Sequence, residues 1–366
     1  MPTGDLLVVT DRGLFCEAGG FYIDPWRPVD RALVTHAHGD HICRGCGVNL
    51  CTREGRDVLR MRLGTDAVIE TLNYGETVFP NGVRVSFHPA GHIHGSAQIR
   101  VEHRGEVWCV SGDYKLAPDS TCSGFETVRC HTFITESTFG LPIYRWQPAN
   151  EVYEEVNRWW RMNQEAGRTS VLFAYALGKA QRLIAGVDSS IGPIFCHGAV
   201  QSVNATYRAS GVSLPDTSLV SIERKRTEWN DALIVAPPSA RGTPWLRRFG
   251  DISTGFASGW MTVRGARRRR SVDRGFTLSD HADWPDLHRA IRDTGASRVL
   301  VTHGSTAVMV RWLQEHGLEA ASLRTRYEGE LAEDSGEEEP LEPVAVASNG
   351  DEEPIPNAID SGIEDE

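Results

Sequence analysis

The sequence predicts an α/β protein with one α/β unit spliced into the middle of another, and three observations predict it. Short apolar, β-prone runs recur along the chain. The histidines and aspartates best suited to chemistry stand just past the ends of such runs, as they would if those strands finished on one edge of a sheet. Between residues 146 and 267 strand-like runs alternate with helix-like ones, the pattern of a small parallel sheet. The composition, 40% apolar residues and 36 glycines in 366, belongs to a globular chain long enough for a large core or two domains.

Residues 6–10 and 21–24 read as short strands around a glycine turn, with Asp24 closing the second. Residues 32–35 form a short buried strand that runs into His36-Ala37-His38-Gly39-Asp40-His41. In extended backbone His36 and His38 point the same way, because side chains alternate with period 2. Ala37 and Gly39 let the chain turn, so that Asp40 and His41 face a neighbouring point. This crowding suits two divalent ions side by side. Histidine with carboxylate and no thiolate favours zinc, with manganese or iron also suited.

Residues 83–87 alternate like a half-buried strand and lead to Ala90-Gly91-His92-Ile93-His94, where His92 and His94 compete as further ligands and His88 is expected outside. Residues 107–110 make a strand ending at Ser111-Gly112-Asp113, a carboxylate placed to bridge two cations. Residues 133–138 form an apolar strand carrying Glu136. The inserted region follows. Asn150 reads as the N-cap of a helix through Val152, Val156 and Trp159 that stops at Gly167. Residues 170–174, 194–196 and 232–236 read as strands, and Leu177-Gly178-Lys179-Ala180-Gln181 opens a helix. The chain returns at Ser279-Asp280-His281, ahead of a helix through Leu287 and Ile291 ending at Gly295. Residues 298–304, which include His303, form the last core strand, and a helix over about 306–316 closes the fold.

The net charge of −11 is unevenly spread. Setting aside the 15 Asp and Glu from Glu328 onward, where there is no Lys or Arg, leaves 38 basic and 34 acidic groups in residues 1–327, a net of +4. That balance permits a nucleic-acid partner. The acidic segment buries too little apolar surface to order and reads as a disordered tail. No apolar run of about 18 residues predicts a membrane span, and Met1-Pro2-Thr3-Gly4-Asp5 does not begin a secretory signal. A cytoplasmic chain without a membrane partner is expected, with its eight cysteines reduced. Cys43-x-x-Cys46 with Cys51 offers a small zinc or redox site, but no second CxxC completes it.

The run His36-x-His38-x-Asp40-His41 matches the signature of the metallo-β-lactamase fold. With Asp24-Pro25-Trp26-Arg27-Pro28-Val29 ahead of it, the chain resembles the bacterial ligase-associated DNA exonucleases over about residues 8 to 327. Those are β-CASP nucleases, related to the Artemis-type repair nucleases, ribonuclease J and the pre-mRNA 3′-end endonuclease. The resemblance implies an αββα sandwich formed by residues 1–145 and 268–327, a parallel α/β β-CASP insertion over 146–267, and a tail over 328–366. It implies one metal on His36, His38, His92 and Asp113, and a second on Asp40, His41, Asp113 and His303. It makes Asp24 a brace for the histidine loop, His281 the general acid and Glu136 the group that orients it. Lys179, Ser239, Arg241 and Ser279 fall where relatives contact backbone or terminal phosphate.

Two cations about 3.5–4 Å apart share a water, lower its pKa and present hydroxide in line with phosphorus. Asp40, Glu136 and His281 would then carry phosphodiester hydrolysis at DNA ends, in repair alongside a DNA ligase. An RNA exo- or endonuclease like ribonuclease J is the alternative, since this chemistry neither needs nor excludes a 2′-hydroxyl. A small-molecule hydrolase would not need the long insertion between Glu136 and His281, and a non-catalytic scaffold would have lost ligands, none of which is missing. Arg267-Arg268-Arg269-Arg270 reads either as a phosphate-tracking patch or as a solvated basic turn. Tryptophans and tyrosines of the insertion could stack bases, but their helical spacing also suits core.

Overall fold

The computed structural model describes residues 4–221, 225–263 and 272–325; the Arg267–270 patch and the acidic segment from Glu328 lie outside them. Two sheets pack face to face. The first contains, in spatial order, Val8–Val9, Leu14–Cys16, Phe21–Ile23, Arg31–Leu33, Val48–Thr52 and Ile69–Leu72, antiparallel at its start and parallel from Phe21–Ile23 onward. The second runs Glu319–Ser322, Arg298–Thr302, Thr132–Glu136, Glu106–Val110, Ala97–His103, Arg84–Pro89 and Thr77–Val78.

Alternation assigns each face. In Arg298–Thr302, Leu300 joins the core between the sheets while Val299 and Val301 pack under the helices Trp284–Thr294 and Thr306–Glu315. On the far side, Ala32, Val34 and Cys51 of the first sheet meet Val58 and Leu59 of the helix Arg56–Leu63. The result is the expected αββα sandwich, and the α/β class is borne out.

A third sheet, wholly parallel, runs Ser218–Leu219, Ile194–Cys196, Leu233–Ala236, Thr169–Phe173, Ile252–Ala257 and Arg274–Phe276. Both faces are covered: Leu172 and Ala174 join one apolar cluster, Val171 and Phe173 the other. Double coverage explains why its strands are near-continuous apolar runs. Among the described residues no helix is long and apolar enough to cross a membrane.

Several elements differ from expectation. The helix Ala149–Glu165 is preceded by Pro148, whose φ of −53° leads into the first turn, so Asn150 lies inside the helix and caps nothing. The third sheet keeps the chain through Phe276, beyond the expected return at 268. The helix Thr306–Glu315 does not close the fold, because Glu319–Ser322 follows and adds a parallel edge strand beside Arg298–Thr302. Leu14–Cys16 is a strand where a glycine turn was expected; three residues are too few to show a period. Ala97–His103 was also not expected, although Ala97, Ile99 and Val101 alternate with polar neighbours along it.

Candidate metal centre

The strand Arg31–Leu33 delivers Thr35 and His36 to the rim of the sandwich, where Asp24 waits at the end of Phe21–Ile23. Asp24 accepts from the Thr35 backbone N–H at 2.8 Å, from the Thr35 hydroxyl at 2.6 Å and from His41 Nδ1 at 2.7 Å. A short 3-10 turn, Gly39–His41, folds Asp40 and His41 back toward the strand ends. Before His92, Gly91 has φ +75°, and a Cβ there would lie 2.2 Å from the Lys115 carbonyl oxygen, so the turn that presents His92 admits only glycine.

The outer ring nitrogens of His36, His38, His41 and His92 are each tied to an oxygen. His38 Nε2 faces the Leu177 carbonyl at 3.2 Å, His92 Nδ1 the Asp280 carbonyl at 3.0 Å, His36 Nδ1 the Thr35 hydroxyl at 3.1 Å, and His41 Nδ1 the Asp24 carboxylate. A nitrogen facing a carbonyl or carboxylate carries the proton, which leaves the inner nitrogen as a lone pair. Those lone pairs converge. His38 Nδ1 lies 3.2 Å from His36 Nε2 and 3.0 Å from His92 Nε2, and Asp113 Oδ2 lies 3.6 Å from His36 Nε2 and 3.9 Å from His92 Nε2. Four donors about 2.0–2.1 Å from one ion in a tetrahedron would stand about 3.3 Å apart. The cluster of His36, His38, His92 and Asp113 fits that cage.

Beside it, His41 Nε2 lies 3.6 Å from Asp40 Oδ2 and 3.4 Å from Asp113 Oδ2, and His303 Nδ1 lies 3.7 Å from Asp113 Oδ1. Asp40 Oδ1, His41 Nε2, Asp113 Oδ1 and His303 Nδ1 are buried without a hydrogen-bond partner among the described residues. Buried polar atoms with no acceptor or donor are costly unless an ion satisfies them. Asp113 touches both groups, so the donor set fits two divalent cations sharing one carboxylate.

The electrostatics agree. Burial, followed by the neighbouring imidazoles His41 and His92, holds His36 well below the ordinary histidine range, and burial pulls His38 down to about 4. Burial, then His281 and His38, holds His92 low as well. Burial also acts to lower His41, but Asp40, Asp113 and Asp24 together outweigh it and push His41 well above its usual value. Burial would raise Asp113, yet His41, His281 and His303 around it hold the carboxyl far below the usual range. His36, His38 and His92, neutral beside an ionised Asp113, are in the ligand state a cation requires, whereas the carboxylates around His41 favour its protonated form, whose proton a bound cation would replace.

Glu136, fully buried, holds His281 Nδ1 with both carboxylate oxygens, at 2.9 and 2.8 Å, and accepts from the Tyr114 N–H at 2.8 Å. Asp113, Glu136 and His281 together form a third tight group of donors. The His281 ring lies 4.7 Å from that of His92, which sets it at the edge of the first cluster.

The structure separates the remaining candidates. His94 points away from the cluster, its ring 5.2 Å from Tyr207, and His88 bonds Ser86 and Glu126. Cys43 and Cys46 are half-buried, Cys51 is buried, and no cysteine joins a donor cluster among the described residues. Lys179, expected at a phosphate, is 1% exposed and pairs with Asp280 at 3.6 Å, because the helix Lys179–Gly186 faces inward at its start. Ser279 is likewise buried, its hydroxyl accepting from the His281 N–H at 3.1 Å. Ser239 and Arg241 are exposed on a short turn, with Arg241 lying 6.0 Å over the Phe256 ring.

Sequence reasoning missed Arg182. Fully buried, it pairs with Asp119 and donates to the carbonyls of Ser279 at 2.9 Å and His92 at 3.2 Å. Lys115 Nζ donates to the same Ser279 carbonyl at 2.5 Å, and burial, then Arg182, lowers Lys115 to about 7. Their partners lie far away in sequence, so no local pattern marks these two cations.

No protein-family model matches the chain. A protein of Opitutus terrae named probable DNA ligase is 32% identical over 315 residues, 85% of this chain and 30% of that protein. Endoribonuclease YSH1 of Eremothecium gossypii is 30% identical over 122 residues, 33% of this chain and 16% of that one. The RNase J-like protein of Methanocaldococcus jannaschii is 25% identical over 234 residues, 55% of each chain. The chain thus spans less than a third of the probable ligase and about half of the RNase J-like protein. A solved protein of unknown function from Enterococcus faecalis V583 shares the fold, with TM-score 0.55 and 11% identity over 81% of this chain and 79% of that one.

Proposed function

We propose, from the premise that this chain belongs with the metallo-β-lactamase/β-CASP nucleases its relatives represent, that it is a metal-dependent exonuclease acting on DNA ends alongside a DNA ligase. The observation that carries the reading is the double cluster sharing Asp113, with the Glu136–His281 pair against its edge. Zinc, or manganese in its place, would lower the pKa of a water toward neutrality and offset charge at a scissile phosphate.

The protein's own groups do the rest. His36, His38, His92 and Asp113 would hold the first ion, and Asp40, His41, His303 and the same Asp113 the second. Glu136 keeps the His281 proton on Nδ1 and turns the opposite nitrogen outward, where a protonated His281 would give its proton to the leaving oxygen. DNA is supported by the relative named a DNA ligase, which aligns with 85% of this chain. RNA is the second reading, supported by relatives named endoribonuclease and RNase J-like over shorter stretches.

End-labelled single-stranded and duplex DNA, with matched RNA and with or without a 5′-phosphate, are given to the protein with zinc or manganese. Shortening of DNA from its ends is expected. Cleavage of RNA alone would replace the reading with the second, and cleavage of neither would end both.

A further inference from the structure

The helix Arg56–Leu63 lies where the sandwich meets the third-sheet unit: Thr206 of the helix Gly198–Ala209 donates its hydroxyl to Met61 Sδ at 3.7 Å. The arginines around it are engaged with one exception. Arg44 Nη2 donates to the Arg62 carbonyl at 3.1 Å, Arg53 Nε to Asn73 at 2.9 Å, Arg56 Nε to Asp57 at 2.9 Å and Arg60 Nη1 to the Thr65 carbonyl at 2.8 Å. Arg62, half-buried as a residue, has a buried Nε with no hydrogen-bond partner among the described residues. A guanidinium nitrogen taken out of water without an acceptor is costly.

The group also lies beside the metal centre. Its Nη2 is 3.2 Å from where a Cβ on Gly39 would be, so the bare Gly39 leaves it room over the peptide leading to Asp40. An anion with paired oxygens, such as a phosphodiester, matches the planar fork of arginine and would supply that acceptor.

We propose that Arg62 is a phosphate-binding residue, its guanidinium taking a backbone phosphate of the strand next to the one presented to the metals. The inference rests on the nuclease reading above. Arg62 marks the path of the strand along the seam between the two units, on the Gly39 side of the centre.

The test measures binding of a labelled single-stranded oligonucleotide with an uncleavable backbone to the metal-loaded full chain, across a salt series. Arg62→Met is expected to weaken binding about tenfold and to flatten the salt dependence by about 0.7 in log–log slope, one phosphate's worth. Arg62→Lys keeps the charge without the fork and should fall between. Arg311→Met, removing an exposed partner of Glu315, should bind as wild type. Thermal midpoint and metal content report the fold, and Arg62→Gln carries the same comparison if the methionine variant does not fold. Wild-type binding by folded Arg62 variants would overturn the subsite and leave the nuclease reading standing. A wild-type protein that neither binds nor, with metal, cleaves would overturn both.

Discussion

Asp24 shows how much one side chain can set. It holds the Thr35 backbone, the Thr35 hydroxyl and the outer nitrogen of His41 at once. An amide in its place could not accept at both positions, so Asp24→Asn is expected to weaken metal binding about 10–100-fold, read by competition with a chelator. Unchanged affinity would mean the brace is ornamental. For His281 the expectation is a fall in turnover of about 10²–10⁴ on substitution by Ala, with metal content unchanged; loss of metal would instead make it a ligand. The clustered histidines and aspartates were legible because small residues and histidines stand next to apolar runs, as in Leu33-Val34-Thr35-His36 and Leu300-Val301-Thr302-His303. Choosing His92 over His94 needed the resemblance, since the two differ only in which way the turn after Gly91 aims them.

Among the elements, the helix pair Trp284–Thr294 and Thr306–Glu315 carries a titrating group away from the two donor clusters. His288 sits between Trp284 and Trp312, ring centroids 4.2 and 3.7 Å away, with neither ring nitrogen hydrogen-bonded among the described residues. Burial, and behind it the nearby His316, lowers His288 to about 4. The unfolded chain therefore binds this proton more readily, so the contribution of His288 to stability is complete above about 6.5 and is lost as pH falls toward 4. His288→Phe should flatten that slope in urea titrations run across the window; an unaltered slope would assign the dependence elsewhere. The helix Lys179–Gly186 carries the other element-scale expectation. Arg182→Met strands the Asp119 charge, frees the His92 carbonyl and leaves the Ser279 carbonyl to Lys115 alone, a loss of about 3–5 kcal/mol by denaturant unfolding. Strands such as Ile194–Cys196 were readable because a doubly covered parallel strand is a plain apolar run, whereas Glu319–Ser322 at a sheet edge, with only Ala320 buried, carries no such mark.

At the scale of the whole molecule, two clusters of buried lone pairs and carboxylates oppose folding until cations enter. Zinc or manganese should therefore raise the thermal midpoint in a concentration-dependent way, and a chelator should reverse it. A midpoint indifferent to metal would contradict the double site. The placement of one α/β unit inside another was visible as a gap in the ligand order between Glu136 and His281, but the way the units are pinned was not. That pinning depends on buried charges from both sides, Lys179 and Arg182 meeting Asp280 and Asp119.

His38 takes its tautomer from the carbonyl of Leu177, a residue just ahead of the helix Lys179–Gly186 in the third-sheet unit. Neither half is therefore a self-sufficient module for exchange. A chimera that borrowed the sandwich with a foreign insert would inherit His38 free to protonate on either nitrogen, and would have to bring its own substitute for one loop carbonyl before the first ion found its ligand.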